Sequence, residues 1–262
     1  MRKFLGLIAL GLSIIASPLA AQKTAGSGRA LELNQTITGT GIATATVKVS
    51  GPRSDAAFPG GPATDTDSAA SVNQTIDLSA FGAGLSERLS TGVLETSAMA
   101  AAAQATGTAT VNNLAFSLGT NVSTVPNTTI GSLLNITATT VQSTSTATVN
   151  PLDTTGTTRI EGLQLSGSLF TGGTLTLTAE QQAQLAAGTP NIVIFDAAGV
   201  KITLNQQVET ATTNADGTRT LALTTDAIAV KFTNAPVGTG VKNGELLIAS
   251  SSASATTQAT SP

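Results

Sequence analysis

Apolar and hydroxyl-bearing residues alternate one by one along much of this chain, which is the pattern of a β-strand with one buried face. In residues 43–50, Ala and Val alternate with Thr, Lys and Ser, and similar alternation recurs in 106–111, 144–149 and 174–178. Because Thr and Val pack well on a pleated surface, these runs predict strands. We therefore expect an all-β fold, an antiparallel β-sandwich. A β-solenoid is the alternative, if the Thr-x-Thr runs stack in parallel.

Turn residues between such runs predict antiparallel hairpins. Residues 196–199, Asp-Ala-Ala-Gly, separate two apolar runs, and the Gly supplies the positive φ that a tight turn needs. Asp216-Gly217 and Asn243-Gly244 lie beside alternating runs in the same way, and we expect each to turn the chain. Residues 95–103 are rich in Ala, but the Thr and Gly residues around them favour a strand over a helix.

One short helix is predicted over Thr178–Ala187. Thr178 at the N-cap and Gln181 three residues later have the form of a capping box, and Gly188 marks the end of the helix. We expect three apolar residues to line its inner face: Ala183, Leu185 and Ala186.

The first 21 residues have the parts of a secretory signal peptide. Arg2 and Lys3 precede an apolar run, and small residues before Gln22 offer a cleavage site near Ala21. The run is shorter than the ~20 residues of a membrane-spanning helix. We expect residues 22–250 to form a single β-rich domain. A surface loop is predicted at 51–71, where Pro and Gly interrupt any strand, and a flexible tail at 251–262, which lacks large apolar residues.

The chain contains no His, Cys, Trp or Tyr, the residues that supply most catalysis, metal binding and ring stacking. A Ser or Thr nucleophile normally needs a His or Lys base, so Ser-His-Asp catalysis is excluded. No disulfide can brace the fold. We expect a protein that is not an enzyme, with no catalytic residues, no cofactor and no metal.

Acidic residues provide the remaining chemical alternatives. A pair of carboxylates can hydrolyse glycosides. The acids near the apolar strands of the C-terminal half are Glu161, Asp196, Glu209 and Asp226. None falls in a recognisable motif, so we interpret each as an exposed acid of a turn or strand edge. Asp65 and Asp67 have the alternate spacing of a calcium loop but lack its following Gly and Glu, which favours a solvated loop.

Three segments of the C-terminal half, Ile160–Leu163, Gly199–Gln207 and Gly244–Ser251, follow one another in a familiar order. In order and spacing they resemble the choice-of-anchor P family of exported bacterial surface proteins. The resemblance implies a surface location and no defined activity. Relatives tend to carry a His where this chain has Ala227–Lys231. The last residues also lack a sorting motif, so we expect a member without an evident anchor.

Together these patterns predict an exported, non-catalytic structural protein of the cell surface, envelope or extracellular matrix, which associates with itself or with other envelope components through exposed strand edges. The net charge of −3 does not favour nucleic acid as a partner. After signal removal we expect no transmembrane segment. The alternative is an adhesin or glycan-binding module. Binding of ice by Thr faces is less favoured, because no sustained repeat is visible.

Overall fold

The computed structural model describes residues 22–39, 44–77, 85–120, 131–215, 217–237 and 240–258. Two antiparallel sheets pack face to face, with one short helix beside them. The predicted all-β sandwich is therefore confirmed, and the solenoid alternative is wrong. The predicted signal peptide at 1–21 lies outside the described residues. Among the residues that are described, no helix is long and apolar enough to cross a membrane.

Sheet I has seven strands, and β1 carries β2 along one half of its length and β3 along the other. The order across the sheet is β13, β14, β15, β16, β1 and then β2 or β3. Its strands are β1 (Lys23–Thr38), β2 (Thr44–Ser50), β3 (Arg53–Phe58), β13 (Ile192–Ala197), β14 (Val200–Thr213), β15 (Thr218–Val237) and β16 (Gly240–Gln258).

Sheet II has nine strands around the long central pair β8 and β9. Along β8 lie β6 and β7 in succession, and along β9 lie β10 and β11; β5, β4 and β12 extend these edges. Its strands are β4 (Thr64–Ala69), β5 (Asn73–Asp77), β6 (Leu85–Ser90), β7 (Leu94–Ala101), β8 (Gln104–Thr120), β9 (Ser132–Thr148), β10 (Asp153–Glu161), β11 (Gln164–Ser166) and β12 (Thr174–Leu175).

In the central strands the inward-facing positions switch between even-numbered and odd-numbered residues, and the switch occurs at the same height in every strand. In β1 the buried positions are even-numbered up to residue 30 and odd-numbered from residue 31. Positive φ values at Asn113, Asn205 and Ala249 accompany this change in three of the strands. We call this level the parity row; its residues are Asn205, Ala227, Ala249 and Ala30 in sheet I, and Asn113 and Thr139 in sheet II. It divides the sandwich into two halves of different construction.

The wide half, on the side of β2, β6, β11 and β13, has large apolar side chains between the sheets. Phe116 of sheet II and Phe232 of sheet I are 1% and 2% exposed. Burial of such side chains stabilises a fold by about 1.5–3 kcal/mol each. The other large buried residues here include Leu31, Leu33, Leu114, Leu118, Leu134, Ile136, Ile202, Leu204, Ile228, Val230, Leu246 and Ile248.

The narrow half, on the side of β3, β4, β7 and β10, has mostly small residues between the sheets, chiefly Gly, Ala and Ser, together with Leu221, Leu223 and Thr225 of β15. A side-chain carbon at Gly107 would stand 2.5 Å from the Ser252 carbonyl oxygen and closer still to that of Ser27. The two backbones therefore approach with no side chain between them. Buried hydroxyls join the sheets: Ser145 of β9 bonds to the hydroxyls of Thr225 at 2.9 Å and Ser251 at 3.0 Å.

Two segments predicted to be irregular are strands of this narrow half. Most of the predicted loop at 51–71 forms β3 and β4, and only the Pro- and Gly-containing residues between them turn. Residues 251–258 of the predicted flexible tail belong to β16 and pair with β1 and β15. The loop prediction is wrong because the Pro and Gly residues lie beside the strands and in the turn between them, not within them. The tail prediction is wrong because small residues in this half allow the sheets to pack closely.

The hairpin and helix predictions are confirmed in part. Ala198 and Gly199 both have positive φ and join β13 to β14, and β14 pairs with β15 across the Gly217 turn. Asn243-Gly244 is not a turn, because both residues lie inside β16. The helix α1 (Ala179–Ala186) has the predicted capping box. Its predicted inner face is wrong for two of three residues, since Leu185 alone is half-buried while Ala183 and Ala186 are exposed.

Candidate functional site

The four acids considered as a hydrolytic pair lie on four different strands. Glu161 of β10 is exposed and pairs with Arg159. Asp196 is exposed beside the β13–β14 turn, and exposed Glu209 accepts a hydrogen bond from the Thr154 hydroxyl at 3.2 Å. Within the described ranges, no group of three or more acids comes together in a way that could hold a metal ion.

Asp226 differs from the other three because it is only 3% exposed, so the prediction of an exposed acid is wrong there. The Gln206 amide donates to its carboxylate at 3.4 Å. Removal from water raises the pKa of Asp226 above its ordinary value of 3.8, against a smaller lowering by a hydrogen bond from Ser250. Since the folded pKa is raised, the stability this carboxyl contributes is present at low pH and is lost as the pH rises through that pKa.

Asp65 and Asp67 cover the outer edge of β3. The Asp65 carboxylate accepts the backbone N–H of Asp55 at 2.9 Å, and the Asp67 carboxylate accepts that of Arg53 at 3.1 Å. These N–H groups lie on the side of β3 away from β1, where an unpaired strand would invite another chain. The alternate spacing that resembles a calcium loop thus places two carboxylates along one strand edge. The predicted solvated loop is a strand that protects its neighbour.

Side chains also cover the outer edges of β10 and β13. The Gln207 amide donates to the Gly156 carbonyl of β10 at 3.0 Å, which ties sheet II to β14 of sheet I. The Gln181 amide of α1 donates to the Val193 carbonyl of β13 at 3.3 Å. Side chains of the same chain therefore bond backbone groups of three edge strands: two groups of β3 and one group each of β10 and β13.

The outer edge of β2 contrasts with these covered edges. β2 is the last strand of sheet I, and no other strand of the described chain pairs with its outer side. Its burial alternates without interruption: Ala45, Val47 and Val49 are half-buried against the core, while Thr44, Thr46, Lys48 and Ser50 are exposed. It has no bulge and no Pro, which leaves the edge open to pairing with another strand, and Lys48 is the one charged residue that could oppose such pairing.

The outer surface of sheet II in the narrow half carries hydroxyls in register across five strands. We call it the hydroxyl face. Neighbouring positions are about 4.8 Å apart between strands and roughly 6.8 Å apart along a strand. One row consists of Thr66, Ser97, Thr108, Thr144 and Thr157, and the next of Thr64, Met99, Thr106, Thr146 and Thr155. An array in register thus exists although the sequence shows no repeat of fixed length.

A groove of about 760 Å³ lies on the outer surface of sheet II in the wide half. Arg88, Ser117 and Asn135 contribute to its floor, and β11, β12 and Gln182 of α1 form a wall. The Asn135 amide donates to the Ser166 hydroxyl at 3.3 Å. Four leucines of the wall also line the groove, so it is suited to a ligand with both apolar and polar groups, such as a sugar.

An ion pair lies buried between the sheets of the wide half. Lys242 of β16 and Glu87 of β6 are both 0% exposed, and the Lys242 Nζ is 2.6 Å from a Glu87 carboxylate oxygen. The same Nζ lies 4.3 Å from the ring centre of Phe232 and 5.8 Å from that of Phe116. Burial lowers the pKa of Lys242, although the Glu87 carboxylate opposes this. Neither partner stands out in the sequence, because Lys and Glu residues in strands are usually exposed.

A third polar side chain, Gln35 of β1, is buried at 1% exposure in the same half. Neither polar atom of its amide has a hydrogen-bond partner within the described ranges, and the second oxygen of Glu87 has none either. Buried polar groups are nearly always hydrogen-bonded, because an unpaired one loses its interactions with water without replacement. This unpaired amide is therefore a feature that the fold alone does not explain.

Comparison of the sequence with models of known protein families finds no match, and comparison with curated proteins finds no match either.

Proposed function

We propose that this chain is an exported, non-catalytic structural protein of the cell surface, envelope or extracellular matrix, and that it assembles with copies of itself through the outer edge of β2. The observation that carries this proposal is the contrast between that open edge and the covered edges of β3, β10 and β13. The signal-peptide pattern of residues 1–21 and the resemblance to choice-of-anchor P proteins support export to the surface.

The residues of β2 make it complementary to a second copy of itself. In an antiparallel pair centred on Val47, the Val47 side chains of the two copies meet, and Lys48 of each copy faces Thr46 of the other. No like charges oppose each other, and the half-buried faces of the two strands join into one apolar surface. Such a pair continues sheet I into the second molecule through backbone hydrogen bonds, the general mode of β-strand addition.

Substitutions at Thr46 test this assembly, because the residue is exposed and faces Lys48 of the other copy. We expect Thr46→Lys to weaken self-association, since it sets two pairs of like charges across the two-fold axis. We expect Thr46→Glu to strengthen it through the opposite pairing. Light scattering and sedimentation over a wide concentration range measure the change. A wild-type chain that stays monomeric, or two variants that shift in the same direction, contradicts the proposal.

A second candidate function is binding to ice, and the register of the hydroxyl face favours it. Ice presents oxygen atoms in a fixed two-dimensional lattice, and a surface that matches it needs hydroxyls fixed at regular intervals. Here the sheet backbone holds the array, and a Gln142 amide that donates to the Thr110 hydroxyl at 3.1 Å helps to fix its border. The adhesin or glycan-binding alternative is supported instead by the groove of the wide half, which combines leucine side chains with amides, hydroxyls and one guanidinium.

Substitution within the hydroxyl face separates ice binding from a purely structural role. We expect the wild-type protein to slow the recrystallisation of ice, and Thr108→Lys to remove most of that effect, because a long charged side chain interrupts the array at its centre. Thr224→Lys makes the same change on the outer surface of sheet I and should leave the effect intact. Absence of any effect in the wild type, or equal losses in both variants, rules this candidate out.

A further inference from the structure

Three buried side chains of the wide half have complementary reactivity. Lys242 offers an amine, Gln35 offers a carboxamide, and Glu87 offers a carboxylate that can carry a proton between them. Their exposures are 0%, 1% and 0%. Phe116 and Phe232 border the amine and help to keep water out. An acyl-transfer site needs a nucleophile, an acyl group and a proton carrier, and all three are buried in this half of the core.

The strand register places Lys242 and Gln35 as diagonal neighbours on the same face of sheet I. Gln35 of β1 is paired with Gly244 of β16, and Lys242 precedes Gly244 by two residues, so both side chains leave the same face of sheet I. Diagonal neighbours of this kind lie about 7–8 Å apart, within reach of two long side chains. Gly244 has no side chain to separate them. Phe232 is paired with Gly244 from the other side, and the Lys242 Nζ lies 4.3 Å from that ring, so the amine leans toward the row that contains Gln35.

We propose that Lys242 and Gln35 become joined by an intramolecular isopeptide bond, with Glu87 as the proton carrier. Lys242 first gives a proton to the Glu87 carboxylate, which leaves a neutral amine beside a neutral acid. The amine nitrogen then forms a bond to Cδ of Gln35. The bond between Cδ and Nε2 breaks as the Glu87 acid protonates the departing nitrogen, and the carboxylate takes up the proton that the attacking nitrogen gives up. One ammonia molecule leaves, and no oxidant or reductant takes part.

The surroundings of the three residues favour this reaction. Burial lowers the pKa of Lys242, which makes the neutral, nucleophilic amine more accessible than it is in water. The amide of Gln35 forms no hydrogen bond with the described residues that would hold it away from the amine. The product also has one buried polar group fewer, because an ammonium ion and a primary amide are replaced by one secondary amide.

Mass spectrometry of the folded and then denatured full chain tests the cross-link. The expected result is a mass below that of the exported sequence by one ammonia molecule. Proteolysis should yield a branched peptide that links the segment around Gln35 to the segment around Lys242. An intact mass without the deficit, or a digest in which both segments occur only as separate linear peptides, overturns the proposal. A deficit of one water molecule would also overturn it, since that indicates an amide between Lys242 and Glu87.

Variants distinguish the roles of the three side chains. Glu87→Gln keeps the size of the side chain and should abolish the ammonia loss, while Gln35→Met removes the acyl group and should do the same. Gln74→Met is the matched control, because Gln74 occupies the same place in a second Asn-Gln-Thr-Ile sequence but is exposed on β5. An N-terminal Gln22 can also lose ammonia by cyclisation, so the peptide map assigns each deficit to its residue. A deficit in Gln35→Met that does not map to Gln22 contradicts the assignment. If a variant fails to fold, the peptide map of the wild-type chain decides by itself.

Discussion

Replacement of Gly107 by Val is expected to destabilise the protein by more than about 3 kcal/mol, at the upper end of what overpacking costs. The added side chain would occupy the space in which the backbones of β8 and β1 meet, and its first carbon would stand 2.5 Å from the Ser252 carbonyl oxygen. Neither backbone can move away without loss of its own sheet pairing. The strain therefore falls on the whole narrow half.

Unfolding in urea, followed by far-UV circular dichroism because the chain has no Trp or Tyr, measures this effect. Thr106→Val is the control, since residue 106 is the neighbour of Gly107 and faces outward. It introduces the same side chain on the other side of the strand, and its free energy of unfolding should stay within about 0.5 kcal/mol of the wild type. Equal stability of the Gly107→Val variant and the wild type would refute the close backbone approach.

In a Gln35→Met background, where the ion pair cannot react further, replacement of Lys242 by Met is expected to destabilise the protein by about 3–5 kcal/mol, because it leaves the Glu87 carboxylate buried without its counter-charge. The double variant Lys242→Met/Glu87→Leu should recover much of this loss. Removal of both charges also removes the cost of keeping them from water, and buried ion pairs replaced by apolar residues are often neutral in stability.

Lys231→Met provides the matched control for this experiment. Lys231 lies on the neighbouring strand β15, is exposed and is paired in register with Glu245. Exposed pairs contribute roughly 0–1 kcal/mol, so the same substitution there should change the free energy of unfolding little. If the single variant Lys242→Met and the control lose equal amounts, the buried pair has no special energetic role.

The strands could be predicted because their alternation is visible in residue types. In residues 106–111 and 144–149, every second residue is buried, as the pattern of small apolar and hydroxyl side chains indicates. The capping box of α1 could also be predicted from the sequence, because its two hydrogen bonds join residues that are three positions apart. Such local signals need no knowledge of what lies opposite.

Features that depend on the opposite sheet could not be predicted in this way. The residues of 251–258 are Ser, Ala and Thr, and nothing in that stretch shows that a second backbone packs directly on it. The parity row was missed as well, because a change in facing at Ala30 looks locally like two neighbouring apolar residues. Asn205 is a local signal of this change in facing, because it has positive φ inside a strand and Asn adopts that conformation more often than most residues.

The buried side chains of the wide half were missed for a related reason. A Lys or a Glu in a strand is almost always exposed, so Lys242 and Glu87 looked like ordinary surface residues. Their sequence separation of 155 residues also hides the pairing. Only the register of β1 with β16, together with the packing of β6 beneath them, brings these two residues and Gln35 into one half of the core.

The close approach of backbones in the narrow half also limits how this protein can evolve. Where a wide core accepts exchanges among Leu, Ile, Val and Phe, the positions at which the two backbones meet, such as Gly26, Gly28 and Gly107, admit no larger residue. Drift at those positions is blocked, and compensating changes cannot restore the space that a larger residue removes. The plain composition of half the chain is thus the selected result of its geometry rather than a relaxed, low-complexity sequence.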